Sequence, residues 1–187
     1  MTQPAYLLLL DACCLLNLYA TGRFRDIALA QQHRLGVADY VLEQESLYVW
    51  RPGLGEMGEE RVPVDLASIV EEGVIQVLRL EHQDEEAIFV DLAALLDDGE
   101  AITGALALYR GFAVATDDGK ARRVLGDLAP AVSLVSTLEL MKQWPETSSL
   151  APAELRAAML AMKSGASYVP TESDPLYEWW QTVVQGE

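Results

Sequence analysis

Short apolar runs recur along the chain and are separated by longer stretches of mixed polarity. Tyr6–Leu10 is a continuous apolar run that leads directly into Asp11. Such a run is typical of a strand buried on both faces of a parallel sheet. The other predicted strands are Gly36–Ala38, a short extended piece, and Val74–Leu80, Phe112–Thr116 and Val132–Val135.

The stretches between these runs carry helical patterns. Asp39 is suited to cap a helix that runs to about Tyr48, and Asp84–Leu96 begins with acids, which interact favourably with the helix dipole. Arg51–Pro63 contains several glycines and prolines, which predict a loop or an irregular insertion. The remaining predicted helices are Ala12–Tyr19, Asp65–Glu72, Glu100–Tyr109, Lys120–Leu128, Thr137–Trp144, Pro152–Lys163 and Pro175–Gln185.

The alternation of strands and helices predicts the fold class. It favours an α/β fold, a three-layer α/β/α sandwich with a central parallel sheet. A length of 187 residues suggests one domain with a small appendage. We assign residues 1–145 to the domain and residues 146–187 to a C-terminal helical extension. The apolar side chains of Pro175–Gln185 predict that this extension packs on the core or on the partner in a homodimer.

Composition predicts the cellular setting. The chain is 51% apolar, with a mean hydropathy of +0.12, but no apolar run approaches the roughly 20 residues that a membrane span requires. Met1–Leu10 lacks the basic start and the small-residue cleavage site of a signal peptide. We therefore expect a cytoplasmic protein that does not associate with membranes.

The charge balance restricts the choice of partners. The net charge is −16, from 29 acidic and 13 basic residues, which is unfavourable for holding a polyanion by Coulomb attraction alone. A nucleic-acid substrate would need bound divalent cations to offset part of the repulsion. The same charge favours a basic protein partner.

Two adjacent cysteines, Cys13 and Cys14, are the only ones in the chain. Neighbouring cysteines rarely bridge each other, because the geometry is strained. Their spacing is not that of a zinc site. We expect both to pack as small apolar residues.

Acidic residues follow two of the predicted strands directly. Asp11 follows the first strand, and Asp117 and Asp118 follow Phe112–Thr116. In open parallel sheets, sites form beyond the carboxyl ends of the strands. One such Asp alone is more simply explained as a helix cap, but this explanation is harder to sustain for both positions, because the two strands can be neighbours. Glu100 opens a helix that looks buried, where a carboxylate needs a partner.

Three sequence blocks resemble the PIN-domain family, which includes many ribonuclease toxins, and they occur in that family's order. The resemblance covers roughly Tyr6–Trp144, so the domain of residues 1–145 is expected to be PIN-like. The first block, Leu10–Leu18, has an Asp at a strand end and a polar residue six positions on. The second, Asp98–Ala101 with Ala105–Ala107, is similar to a GEA…ALA signature. The third, Ala115–Asp118 with Ala121–Arg123, is similar to a T-x-D strand end and the helix that follows it.

The resemblance implies a set of four acids that bind one or two divalent ions, Mg²⁺ or Mn²⁺. Asp11, Glu100 and Asp118 fall on three of these positions and are the expected catalytic and metal-binding residues. Asp117 occupies the spacer of the T-x-D pattern and is expected to assist metal binding. Asn17 and Thr116 match polar positions expected to orient the acids.

The fourth acid of the resemblance is a Glu on the helix after the second strand, and Glu43 and Glu45 are both candidates. The family often has Pro, then an apolar residue three positions on, then Glu six positions on. Asp39 stands in the Pro position here, followed by Leu42 and Glu45. This register favours Glu45 as the fourth catalytic acid.

The function implied is a metal-dependent endoribonuclease that hydrolyses RNA phosphodiester bonds, in one interpretation the toxin of a toxin–antitoxin pair with an antitoxin protein as partner. A cation relieves the repulsion among clustered carboxylates and can acidify bound water. The alternative is a catalytically weak PIN-fold scaffold that binds RNA or protein. Lys120, Arg122 and Arg123 are expected either to contact substrate phosphates or to pair with acids such as Asp127.

Overall fold

Five parallel strands form the central sheet of the computed structural model, which describes residues 7–45, 47–52 and 59–186. Their order across the sheet is β5, β2, β1, β6, β7, and the predicted α/β/α sandwich with a central parallel sheet is confirmed. In chain order, the strands, including two in a separate hairpin, are β1 (Leu7–Leu10), β2 (Arg34–Ala38), β3 (Tyr48–Pro52), β4 (Glu59–Pro63), β5 (Ile75–Leu78), β6 (Ala113–Ala115) and β7 (Leu134–Val135).

Helices flank this sheet. None of the described helices is both long enough and apolar enough to cross a membrane. In chain order, the helices are α1 (Ala12–Ala20), α2 (Phe24–Ala30), α3 (Asp39–Gln44), α4 (Ala67–Glu71), α5 (Gln83–Ala93), α6 (Asp98–Arg110), α7 (Gly119–Leu128), α8 (Thr137–Thr147), α9 (Pro152–Gly165) and α10 (Tyr177–Gln185).

The strand order creates a switch point at the centre of the sheet. From β1 the chain adds β2 and β5 on one side, and it then returns to add β6 and β7 on the other. Ligand sites of open α/β sheets form at such a reversal, beyond the carboxyl ends of the strands. The backbone N–H of Asp11 donates to the carbonyl of Ala115 at 3.1 Å. The acids that follow β1 and β6 therefore meet at one edge.

Close packing fixes the position of α6, whose amino end carries Glu100. A Cβ on Gly104 would lie 2.8 Å from Leu92 Cδ1 and 2.9 Å from Leu125 Cδ2. These distances are shorter than carbon atoms tolerate, so α6 approaches its neighbours closely only because position 104 has no side chain. The amino end of α6 is thereby held beside β1.

The prediction of a loop over Arg51–Pro63 was wrong where the structure describes that segment. β3 and β4 pair as an antiparallel hairpin in which Val49 lies opposite Val62, and Val49 is fully buried. The prolines stand at the ends of the strands, where they are tolerated. The predicted helix to about Tyr48 ends at Gln44, because Tyr48 already belongs to β3. Residues 53–58 of the predicted loop lie outside the described residues, as does Tyr6 of the first predicted strand.

Two helical features also differ from the predictions. The helix α2 was not predicted, although Phe24, Ile27 and Ala28 form a buried face at helical spacing. The helix α8 continues two residues past Pro145, so this proline does not end it at Trp144. Proline removes one backbone donor from a helix, and a short continuation tolerates that loss.

The helices of the C-terminal extension pack on the core of the domain. The helix α9 packs against α1 and β3, and α10 packs against α9. Met159 and Met162 of α9 are fully buried, and Trp180 of α10 is 5% exposed. The rings of Tyr177 and Trp180 stack with centroids 5.9 Å apart. Residues 152–185 therefore share one apolar cluster with the sheet.

Candidate functional site

Asp11 leaves the carboxyl end of β1 and caps α1. Its Oδ1 accepts hydrogen bonds from the backbone N–H of Cys14 at 2.8 Å and from the Cys13 thiol at 3.0 Å. The side chain is buried. Burial raises the pKa of Asp11 above its ordinary value; these hydrogen bonds oppose the rise, and the charge of Asp117 adds to it. A nearby cation would stabilise the ionised form.

Glu100 lies in the first turn of α6, next to a second acid that caps the helix. Asp97 Oδ1 accepts the backbone N–H of Glu100 at 2.8 Å. Burial raises the pKa of Glu100 to about 7, with further contributions from the charges of Asp97, Asp118 and Asp11. The carboxyl of Glu100 thus lies in the field of three other acids.

Asp11 and Glu100 line the same small recess beyond the ends of β1 and β6. Thr103 also lines it, and its Oγ1 is buried with no hydrogen-bond partner within the described residues. The recess leaves no space for a water molecule between these side chains, so this hydroxyl is an unsatisfied polar group at the site. The rest of the lining consists of Val114, Thr116, Ala121 and Leu125.

Glu45, rather than Glu43, lies beside these acids. Glu45 follows the last turn of α3, and a Cβ on Gly99 would overlap its Oε1. Burial raises the pKa of Glu45, and the charges of Asp97 and Asp11 raise it further. Glu43 is exposed and forms an ion pair with Arg79 at 3.3 Å. The glycine of the GEA block is therefore needed to make room for the Glu45 carboxylate.

Asp118 caps α7 at the end of the turn that follows β6. Its Oδ1 accepts the backbone N–H groups of Lys120 and Ala121, both at 2.8 Å. Thr116 Oγ1 accepts the backbone N–H of Asp118 at 3.1 Å and so orders the turn. The side chain of Asp118 is exposed, and its charge contributes to the raised pKa of Glu100.

Asp117 points to donors within the protein. Its Oδ1 accepts the backbone N–H of Thr137 at 2.9 Å. Its Oδ2 accepts Asn17 Nδ2 at 3.0 Å and the Thr137 hydroxyl, and it lies 3.6 Å from Cys14 Sγ. Both oxygens are thus engaged by protein donors. Asp117 ties α1 to the amino end of α8, and Asn17 orients Asp117.

The cysteines pack as small apolar residues, as expected: Cys14 belongs to the core and Cys13 packs against it. Both thiols also lie next to polar groups. Cys14 is buried in the core, and its Sγ lies 3.2 Å from Thr137 Oγ1, whose hydroxyl proton is taken by Asp117. Asp11, Cys13 and Cys14 together bring three potential metal ligands within 4.8 Å of one another. A search for separated cysteine pairs does not detect such a group, because one ligand is a carboxylate and the residues are nearly consecutive.

The three basic residues on α7 have different surroundings. Arg122 donates from Nη1 to the carbonyl of Thr116 at 2.9 Å. Lys120 and Arg123 are exposed. Within residues 7–45, 47–52 and 59–186, none of the three forms an ion pair with an acid such as Asp127.

The acids of the site lack cationic partners. In the described part of the chain, no Lys, Arg or His forms an ion pair with the cluster of Asp11, Glu45, Asp97, Glu100 and Asp118, which we call the acid cluster. Asp97 was missing from the residues proposed from sequence. Its position three residues before Glu100, as the cap of α6, is the signal that identifies it.

Comparisons with known proteins leave the geometry as the guide to function. Among the described residues, Asp11, Cys13 and Cys14 are the group whose ligand atoms lie within 4.8 Å of one another. The carboxylates of the acid cluster are linked by the effect of their charges on one another's pKa, and carboxylate oxygens are ligands that hard divalent cations prefer. No protein-family model matches the chain, and no curated protein matches it.

Proposed function

We propose that this chain is a PIN-type endoribonuclease that uses Mg²⁺ or Mn²⁺ to hydrolyse RNA phosphodiester bonds. The observation that carries the proposal is the acid cluster, which lies at the switch point of a parallel sheet without a cationic partner in the described residues. The charges of neighbouring acids help to raise the pKa of Asp11, Glu45 and Glu100, and a bound cation would relieve that repulsion. A cation bound there would also reduce the repulsion between RNA and a chain of net charge −16.

The roles of individual residues follow from their contacts. Asp11, Glu100 and Asp118 would hold the ion, which when bound supplies an acidified water and neutralises charge on a phosphate. Asp11 and Asp118 are oriented by the backbone N–H groups that they cap. Without an ion the pKa of Glu100 is about 7, and a bound cation would lower that pKa and keep the carboxylate ionised as a ligand. Gly99 keeps the Glu45 carboxylate close to them.

Cleavage assays with defined metals test the proposal. We expect the purified chain to cleave single-stranded RNA with Mg²⁺ or Mn²⁺, to leave 5′-phosphate and 3′-hydroxyl ends, and to be inactive in excess EDTA. An Asp11→Asn variant purified in parallel controls for contaminating ribonuclease. Robust cleavage in EDTA would contradict the mechanism. Metal and RNA binding without cleavage would favour the alternative, a catalytically weak PIN-fold scaffold.

A pH dependence of metal-free stability should accompany the raised pKa of Glu100. A carboxyl whose pKa is about 7 in the folded state and 4.5 ordinarily makes the folded state bind more protons in that range. The free energy of unfolding should therefore fall as pH rises from about 4.5 to about 7. Thermal melts in EDTA across this range measure the effect, and the Glu100→Gln variant should lack this part of it. If the free energy of unfolding of Glu100→Gln falls equally over this pH range, the decline comes from other groups.

An acidic groove beside Glu45 supports a basic protein partner, such as an antitoxin. The cavity between α3 and α4 measures about 640 Å³. Acids line it above an apolar floor that includes Leu42, Leu66 and Val70. This combination suits an amphipathic basic segment. Its acids are Asp39, Glu43, Glu45, Asp65 and Glu71, of which Asp39 and Glu43 are paired with Arg79.

Co-purification tests the antitoxin interpretation. The product of an adjacent small gene should form a complex with the chain and inhibit cleavage, and Leu42→Asp should weaken that complex. If Leu42→Asp leaves the inhibition of cleavage unchanged, the partner contacts the chain outside this groove. The homodimer remains a prediction. Sedimentation equilibrium of the purified chain would measure its oligomeric state.

A further inference from the structure

A larger cavity lies beside Asp117 and has no role in the proposed metal chemistry. It measures about 840 Å³, which is within the range of small-molecule sites. The beginning of α7 and one face of α8 form part of its wall. The segment 168–176, which connects α9 to α10, forms the rest. The C-terminal extension therefore reaches the neighbourhood of the acid cluster.

Two basic side chains line this cavity without an acidic partner. Arg122 and Lys142 both contribute to the lining, and neither forms an ion pair within the residues that the structure describes. Within the described residues only Arg23, Arg25, Arg79 and Arg110 form ion pairs with acids, so what distinguishes Arg122 and Lys142 is that both are half-buried and line the same cavity. Two half-buried cations facing one cavity favour an anionic ligand.

The acids of the same lining are largely engaged by the protein itself. Glu139 Oε2 accepts the backbone N–H of Ser136 at 2.7 Å, and Asp174 Oδ1 accepts that of Leu176 at 2.7 Å. Both oxygens of Asp117 accept hydrogen bonds from protein donors. Glu146 is the remaining acid of the lining and is exposed. These carboxylates keep their charge, but Asp117, Glu139 and Asp174 each have at least one oxygen held by a backbone donor, and Arg122 donates from Nη1 to the carbonyl of Thr116. The ammonium of Lys142 makes no hydrogen bond or ion pair within the described residues and is therefore the cation most open to a ligand.

Tyr168 provides an aromatic surface in the cavity. Its hydroxyl makes no hydrogen bond within the described part of the chain, and burial together with the charge of Asp117 raises the pKa of Tyr168, so the phenol remains a donor at neutral pH. The preceding residue, Ser167, has a φ of +55°, a conformation uncommon for residues other than glycine. This backbone turn delivers Tyr168 into the cavity.

We propose that this cavity binds one nucleotide of the RNA substrate, with its phosphate on Arg122 and Lys142 and its base against Tyr168. The assignment of RNA rests on the proposed function, and the link to the acid cluster is Asp117, which lines the cavity and whose charge acts on Asp11. Base stacking on an aromatic ring is a common way to hold single-stranded RNA. The cavity would then select the nucleotide next to the cleaved bond.

A titration of the full chain in EDTA, followed by ¹H–¹⁵N NMR, tests this site independently of cleavage. The probes are inorganic phosphate and the four nucleoside 5′-monophosphates. We expect amide shifts at Gly119 and Val169 and tighter binding of at least one nucleotide than of phosphate. Lys142→Ala should weaken nucleotide binding about tenfold, the effect of one charge-assisted hydrogen bond.

Arg34→Ala is the matched control. Arg34 is exposed at the amino end of β2, where it is paired with Leu7 at the opposite edge of the sheet. Its substitution by alanine should therefore leave nucleotide binding unchanged. Equal weakening by Lys142→Ala and Arg34→Ala, or phosphate binding as tight as that of every nucleotide, would overturn the site. Lys142-dependent nucleotide binding without metal-dependent cleavage would support the cavity and refute the nuclease. Metal-dependent cleavage together with nucleotide binding that does not depend on Lys142 would support the nuclease and refute the cavity.

Discussion

Asp11→Asn should reduce metal-dependent RNA cleavage by at least about a hundredfold while the fold is retained. Asp11 is the most deeply placed acid of the cluster, and its substitution removes one charge from the set that would hold the ion. The Asn side-chain oxygen can still accept the backbone N–H of Cys14, so the cap of α1 is preserved. Initial rates with Mn²⁺ measure the effect.

Stability measurements separate this loss from misfolding. Burial raises the pKa of Asp11, so replacing it with a neutral amide should leave metal-free melting unchanged or raise it. Mn²⁺ should raise the melting temperature of the parent chain by mass action and should do so much less for Asp11→Asn. Asp127→Asn removes one exposed charge from α7 and should keep both cleavage and the metal response. Full activity of Asp11→Asn would refute the mechanism.

The central sheet could be predicted because its strands are almost uniformly apolar. All four residues of Leu7–Leu10 are buried, and a strand covered on both faces leaves a run that contains no polar residue. Asp11 must then lie at the carboxyl end of that strand, where sites form in this class of sheet. The apolar run therefore predicts both the buried strand β1 and the position of Asp11 at its end.

The hairpin of β3 and β4 could not be predicted in this way. Its prolines suggest a loop, and Val49 is buried by helices that are distant in sequence, since β3 packs against α1 and α9. Burial from distant segments leaves no local periodicity to detect. Asp97 differs from the hairpin, because its place as the cap of α6, three residues before Glu100, is a local signal.

Asp117 and Asp118 show where a motif is insufficient. Both follow β6, and the T-x-D pattern distinguishes them only by register. In the structure Asp118 is exposed and caps α7, whereas Asp117 accepts hydrogen bonds from α1 and α8. Asp118 turns to backbone donors two and three residues along the chain, as a helix cap does. Asp117 turns to donors on Asn17 and Thr137, which are distant in the chain, and no local pattern contains them.

This difference predicts opposite effects for the two Asp→Asn substitutions. Asp118→Asn should abolish most cleavage with little change in melting temperature, because its side chain is exposed and Asn also caps helices well. Asp117→Asn should lower the free energy of unfolding by about 2–3 kcal/mol, because an amide NH₂ would replace an oxygen that faces only donors. In a chain of this size that corresponds to about 4–12 °C in melting temperature.

A reciprocal exchange tests whether the hydrogen bonds of Asp117 cause that loss. Asn17 Nδ2 donates to Asp117 Oδ2 at 3.0 Å, so Asn17→Asp combined with Asp117→Asn reverses donor and acceptor while conserving charge. We expect the double variant to melt above Asp117→Asn, since the new amide then has an acceptor at position 17, and below the parent, since Thr137 still donates to position 117. Thermal melts of the four proteins in EDTA measure this coupling. If Asp117→Asn has the same melting temperature as the parent chain, these hydrogen bonds do not hold α1 and α8 together. Asp117 would then be free to serve the acid cluster instead.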